Sequence, residues 1–334
     1  KKGNGFRDVP PEPDAIPSSA ASLPGNQLFA GPLWSHFGHF FVDCVHRLWA
    51  LELRDRSYDG LVFVAVQGLV GVRSGADLAR VQPPPWLEQL LHLLGLPNLP
   101  VHMIREPTIV ERLHVPVPGT APRAPIQPFY RYHLDRYQER LEKTLALHIR
   151  RAPRRIYLSR SHLLHKGGFV GCSYFEAALQ RAGVVSITPE AMSLSLQFAH
   201  LLGAETILAD EGSALHPTQV LSRLKGEVLM FPRRRRNQIY SDALSQRGRF
   251  EQLVPSEEIK VLSDRFGRNG SPGMLAVYRD PEALYERLRL RGLVEGPFDW
   301  EAYRAAEAAD LEAARPARPE VMSKWTCELA ALRR

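Results

Sequence analysis

After Pro153 the chain settles into short apolar runs separated by helical stretches, and this alternation limits the folds open to it. RRIYLS (154–159), VVSI (184–187), TILA (206–209) and EVLMF (227–231) are apolar runs of strand length. Between them lie helix signals. SYFEAALQRAG (173–183) has Ser173 and Glu176 at capping-box spacing and Gly183 as its stop, while Thr188 and Pro189 open a helix that Gly203 ends. Consecutive parallel strands need a helical crossover, and a sheet covered on both faces reads as continuous apolar runs. The expected fold class is therefore α/β with parallel sheets. Ligands of such sheets sit outside the carboxyl ends of the strands. That rim carries Arg160, the Lys166-Gly167-Gly168 loop, Thr188 and the turn at 210–213.

The first half has a looser pattern. Residues 1–28 are rich in Pro, Ser and Gly and are expected to form an irregular arm. A helical pattern covers 35–54, LVFVAVQ (61–67) reads as a buried strand, and PWLEQLLHLLG (85–95) as a helix. VHMI (101–104) and TIVERLHVP (108–116) read as strands, and 135–151 as an amphipathic helix. The expected domains are an arm at 1–28, an N-terminal domain at 29–150, a C-terminal parallel-sheet domain at 151–262, and a charged, peripheral helical tail at 263–334.

The 334 residues suffice for two domains, and 44% hydrophobic with 24% charged residues is the composition of a globular chain. No apolar run approaches the roughly 18 residues of a membrane helix. The three cysteines are far apart and none has metal-ligand spacing, so a reduced, cytoplasmic setting is expected. The net charge of +7 points to an anionic partner and allows peripheral association at an inner membrane.

Four constellations carry chemistry. In ADEGSALHP (209–217), Gly212 permits close approach, Ser213 is placed to cap, and the amides of Ser213, Ala214 and Leu215 are expected to face a phosphate. The equally plain alternative is an ordinary strand-to-helix turn. In YLSR (157–160), Arg160 stands just past a strand end, where a guanidinium fork suits a diphosphate, and Lys166 follows in the next loop. In SHFGHFFVDCVHRLWALELR (35–54), helical spacing puts His36, His39, Asp43, His46, Arg47 and Arg54 on one stripe of a mostly apolar helix. His39 and Asp43, at i and i+4, form a candidate general base; a stripe facing plain solvent is the alternative, and no third ligand favours a metal. FPRRRRNQIY (231–240) offers four consecutive arginines, readable as a contact for phosphate, acidic glycan or nucleic acid, or as a solvated basic loop.

Taken in order, HFFVDCVHRL (39–48), YLSR, SITPEAMSLSLQFAHLLGAETILA (186–209) and EGSALHPTQVL (211–221) resemble glycosyltransferase family 61. His39, Phe40, Asp43 and Arg47 match the register of the family's N-terminal signature. The resemblance implies a GT-B architecture, two Rossmann-like domains facing across a cleft, and an inverting transfer from a nucleotide-sugar donor to a glycan or lipid-linked acceptor, as in bacterial surface polysaccharide synthesis. It implies Arg160 at the donor diphosphate, with Gly212, Ser213 and Ala214 as the glycine turn. Asp43 or His39 would face the acceptor, with His36, His46 and Arg47 as further candidates in the acceptor cleft. The sequence has no Asp-x-Asp, in keeping with a metal-independent reaction without cofactor. Two positions depart from the family pattern: Glu211 stands where a His usually precedes the glycine turn, and HKGGFVGCSYFE leaves Lys166 and Glu176 in place of an arginine and an Asn-Glu pair. Glu211 is expected to accept hydrogen bonds from sugar or ribose hydroxyls, or else to pair with Arg160 or Lys166. A non-catalytic nucleotide-sugar binder is the alternative function, and nucleic-acid binding through residues 233–236 is not favoured.

Overall fold

A computed structural model describes residues 20–34, 36–66, 78–236, 238–268 and 273–333; Ser35, Gln67, Asn237 and most of the expected arm (1–19) lie outside them. The chain divides into two compact units, Lys1–Glu88 with Leu96–Pro118, and Gln89–Gly95 with Gly119–Arg334. The division falls near residue 118 rather than 150. The helices Pro128–Thr144 and Ala146–Arg151 belong to the second unit, where the latter packs on the helix Leu194–Gly203.

The first unit holds a parallel four-stranded sheet of β1 (Ala21–Leu33), β2 (Gly60–Ala65), β3 (Val101–Ile104) and β4 (Thr108–His114), in the order β3-β2-β1-β4. Residues 21–28, expected in the arm, are thus the larger part of its longest strand. The stretch expected as one α-helix is instead a turn of α-helix (Phe37–His39), a π-turn (Phe40–Cys44) and a 3₁₀ segment (Val45–Glu52). Phe40, Phe41, Cys44, Val45 and Leu48 would share one face of a regular helix, but His46, on the far side of such a helix, is buried as well. The π-turn re-aims these side chains. Phe41 stacks on Trp86 at 5.4 Å between centroids, and Phe40 packs edge-on to the same ring. Gly31 lets the segment lie directly on β1: a Cβ there would stand 2.8 Å from the Asp43 carbonyl oxygen, and its φ of +131° favours glycine.

In the second unit β5 (Arg155–Leu158), β6 (Val185–Ile187), β7 (Thr206–Asp210), β8 (Glu227–Phe231) and β9 (Phe250–Gln252) pair in parallel in the order β6-β5-β7-β8-β9. The alternation after Pro153 is therefore borne out, with β9 as a strand the sequence reading missed. The chain leaves β5 toward one edge and returns through β7 on the other side, so the strand order reverses between them. Ligands of doubly wound sheets bind outside the carboxyl ends at such a reversal. Arg160 follows β5 and Glu211-Gly212 follow β7 at that point.

Two helix starts differ from expectation. The helix Cys172–Arg181 is capped not by Ser173 but from afar: the Asp310 carboxylate accepts from the amides of Gly171 (2.8 Å) and Ser173 (3.3 Å). Thr188 and Pro189 open only a short 3₁₀ turn, after which Ser193 caps Leu194–Gly203. Asp310 also shows why the tail is not peripheral. It sits on the helix Trp300–Ala314, whose Tyr303, with Trp325 of the last helix Met322–Leu332, is fully buried in the main hydrophobic cluster. Arg333 and Glu307 form a buried ion pair at 2.6 Å.

Candidate functional site

Tyr157, in β5, points into the sheet's end layer and donates to Asp210 Oδ1 at 2.6 Å. The other oxygen of Asp210 accepts from the Arg160 amide at 2.7 Å. These bonds tie the ends of β5 and β7 together and fix the backbone from which the Arg160 side chain departs. Burial pushes the Asp210 carboxyl up to about 7 despite the two donors and the Arg160 charge, so near neutral pH it carries only part of a negative charge.

The next residue has a different environment. The fully buried Glu211 carboxylate accepts from the amides of Arg233 (2.8 Å) and Arg234 (3.0 Å) and from Arg234 Nε (2.6 Å), while its carbonyl accepts from Arg233 Nε (2.9 Å). The expected hydroxyl recognition by Glu211 is replaced by this bonding, and its salt-bridge partner is Arg234 rather than Arg160 or Lys166. A carboxylate with three donors is stable in a buried position; without them the uncompensated charge would cost about 3–5 kcal/mol.

Gly212 is fully extended, so close approach rather than backbone strain requires glycine there. A Cβ would stand 2.8 Å from Arg160 Cδ and 2.9 Å from its Nη1. The Arg160 side chain lies against the glycine backbone, with Nη2 3.4 Å from the Gly167 carbonyl. A 3₁₀ segment, Ser213–Val220, follows. Among the described residues the amides of Gly212, Ser213 and Ala214 have no acceptor, whereas Leu215 donates to the Gly212 carbonyl at 3.2 Å and so leaves the expected set. Beneath the turn the His216 ring lies between Gln219 (3.0 Å) and the Tyr240 hydroxyl (3.1 Å), which holds the segment in place.

Arg233 completes the corner. Nη1 would lie 2.9 Å from a Cβ at Gly167, whose φ of +92° is glycine territory. Burial first, then the charges of Arg234 and Arg160, pull its pKa down to about 10. Lys166 is exposed, and among the described residues no contact ties it to this corner; Glu176 accepts from Ser159 Oγ at 2.9 Å. The sequence reads Arg233 and Arg234 either as an anion contact or as part of a solvated basic loop, without tying them to Glu211. The signal that finds them is the register: Asp210 pairs with Phe231, so the residues after β8 emerge beside those after β7.

In the first unit, His39 Nδ1 lies 2.8 Å from Asp43 Oδ2, and both side chains are partly exposed. With the proton on Nδ1, Nε2 keeps its lone pair, the arrangement a general base needs. The His36 ring stands edge-on to His39 at 5.2 Å, and Trp34 is tilted against it at 5.6 Å. Arg47 donates to the Asp43 carbonyl and lies over the Phe29 ring. His46 departs from the expected stripe, being buried, because the π and 3₁₀ turns rotate it toward the core.

A family model, Glycosyltransferase 61, matches residues 37–223, more than half of the chain. The chain belongs to glycosyltransferase family 61. It is a transferase of the class that moves glycosyl groups. No curated protein matches it. In this glycosyltransferase the matched span contains the His39–Asp43 pair, Arg160 and the glycine turn, and ends before Arg233 and Arg234. Among the described residues no group of three His, Cys, Asp or Glu is placed to hold a metal, and no helix is long and apolar enough to cross a membrane.

Proposed function

We propose that this glycosyltransferase takes a sugar from a nucleotide-sugar donor, with inversion and without a metal, and passes it to a hydroxyl of a glycan or lipid-linked acceptor. The observation that carries the reading is the corner where the unanswered amides of Gly212, Ser213 and Ala214 meet Arg160. Amides at the start of a helical segment, with a guanidinium beside them, are complementary to a diphosphate. The GT-B arrangement is part of the proposal: the second unit takes the donor, and the first takes the acceptor. The acceptor O–H gives its proton to His39 Nε2 while the oxygen forms a bond to the anomeric carbon. The anomeric carbon–phosphate oxygen bond breaks, and its electron pair leaves with the nucleoside diphosphate, whose charge Arg160 and the amides hold. Surface polysaccharide synthesis at the cytoplasmic face of a membrane suits such a basic enzyme.

Incubation of the full chain with a panel of nucleotide sugars and glycan acceptors tests the reading, with free nucleoside diphosphate as the product measured. Acceptor-dependent release from at least one donor is expected. Saturable binding of a nucleotide sugar without release, whatever acceptor is offered, would instead identify a non-catalytic binder.

A further inference from the structure

The structure assigns Arg233 to the donor diphosphate as a second guanidinium, with Glu211 as the residue that positions it; this rests on the donor site proposed above. The argument starts from the order of strands. Because β8 lies beside β7, residues 232–234 leave the sheet next to 211–212. Glu211 then folds the arginine run back over the rim by taking the amides of both Arg233 and Arg234 and the Nε of Arg234. Arg233 Nε donates to the Glu211 carbonyl, which sets the plane of its guanidinium. Among the described residues neither Nη of Arg233 has an acceptor.

Arg160 and Arg233 both reach Gly167, one through its carbonyl and the other through the space a side chain would fill. Nearby carboxylates attract both arginines but balance them only in part: Glu211 is bonded to Arg234, Asp210 to Tyr157 and a backbone amide, and Glu190 to His162. Like charges gathered in a partly buried corner raise its energy until an anion enters. A diphosphate brings the charge and enough oxygens for two planar forks and the three amides of the turn. The rest of the run is different in kind. Arg235 and Arg236 are exposed, and among the described residues their hydrogen bonds go to Ser256 alone. So Glu211, an anion beside the glycine turn, anchors an arginine pair there.

The test uses the full chain, inorganic pyrophosphate as the probe, and calorimetric titration. Arg233→Ala keeps the amide that Glu211 needs, and is expected to bind pyrophosphate at least about tenfold more weakly, the usual cost of a charged hydrogen-bond partner. Arg235→Ala is expected to bind as the parent does. Glu211→Gln, of the same shape, is expected to weaken pyrophosphate binding and raise the KM for donor in the same direction as Arg233→Ala, and adding it to Arg233→Ala is expected to weaken binding little further. If Arg233→Ala does not fold, Arg233→Lys carries the test, with severalfold weaker binding expected from a point charge in place of a fork. Parent-like pyrophosphate affinity in the folded Arg233 variant, alongside weakened binding in Arg160→Ala, would overturn this inference and leave the donor site standing. A parent chain that binds neither pyrophosphate nor any nucleoside diphosphate would remove the donor site itself. Unchanged donor KM in Glu211→Gln would overturn the positioning role.

Discussion

Arg160→Ala is expected to lower the rate of nucleoside diphosphate release by about 10²–10³-fold, the loss that follows removal of one group stabilising transition-state charge. In the proposed transfer the bond to the anomeric carbon breaks as negative charge gathers on the departing phosphate, so a guanidinium held there would act most strongly in the transition state. The fold should tolerate the change. The bond to Asp210 comes from the backbone amide of residue 160, which alanine keeps, and the Arg160 Nε is itself buried with no partner among the described residues. A melting temperature at or above that of the parent, with release sharply reduced, separates loss of chemistry from loss of structure. Steady-state release at limiting donor, beside a thermal melt, measures both.

His39→Ala is expected to reduce turnover by about 10²–10⁴-fold, the range for a positioned general base. Its imidazole is partly exposed and contributes little to the core, so stability should change little. Asp43→Asn should be milder, by about tenfold. An amide oxygen still accepts from Nδ1 and keeps the ring in place, but it no longer offsets the charge of the imidazolium formed during proton transfer. Release measured at saturating donor and acceptor distinguishes the two variants, and parent-like rates in both would take the base away from this pair.

The second unit was largely legible because its strands are short, apolar and punctuated, and a parallel sheet buried on both faces writes itself into the sequence as such runs. From that sheet follow its carboxyl rim, and with it Arg160 and the glycine turn. What remained hidden was set by distance along the chain. Nothing near Gly171 says that Asp310 caps the helix after it, because the two are 139 residues apart. The charged helices of the tail read as peripheral, since Tyr303 stands among Glu, Arg and Ala and Trp325 between Lys and Thr; the structure buries both. The partner of Glu211 was obscured because an anion beside an expected phosphate site looks misplaced until the arginines from the neighbouring strand are added. The histidine segment was misread as one helix for a different reason. Regular spacing was assumed where a π-turn intervenes, so His46 was placed on the polar stripe although it is buried.

The most direct measurement is a crystal structure of the chain with the nucleoside diphosphate that raises its melting temperature most. Its terminal phosphate is expected within hydrogen-bonding reach of the Arg160 guanidinium and of the Ser213 and Ala214 amides, at the carboxyl ends of β5 and β7. A nucleotide seated elsewhere, with those amides turned to protein or water, would contradict the donor site and the chemistry built on it.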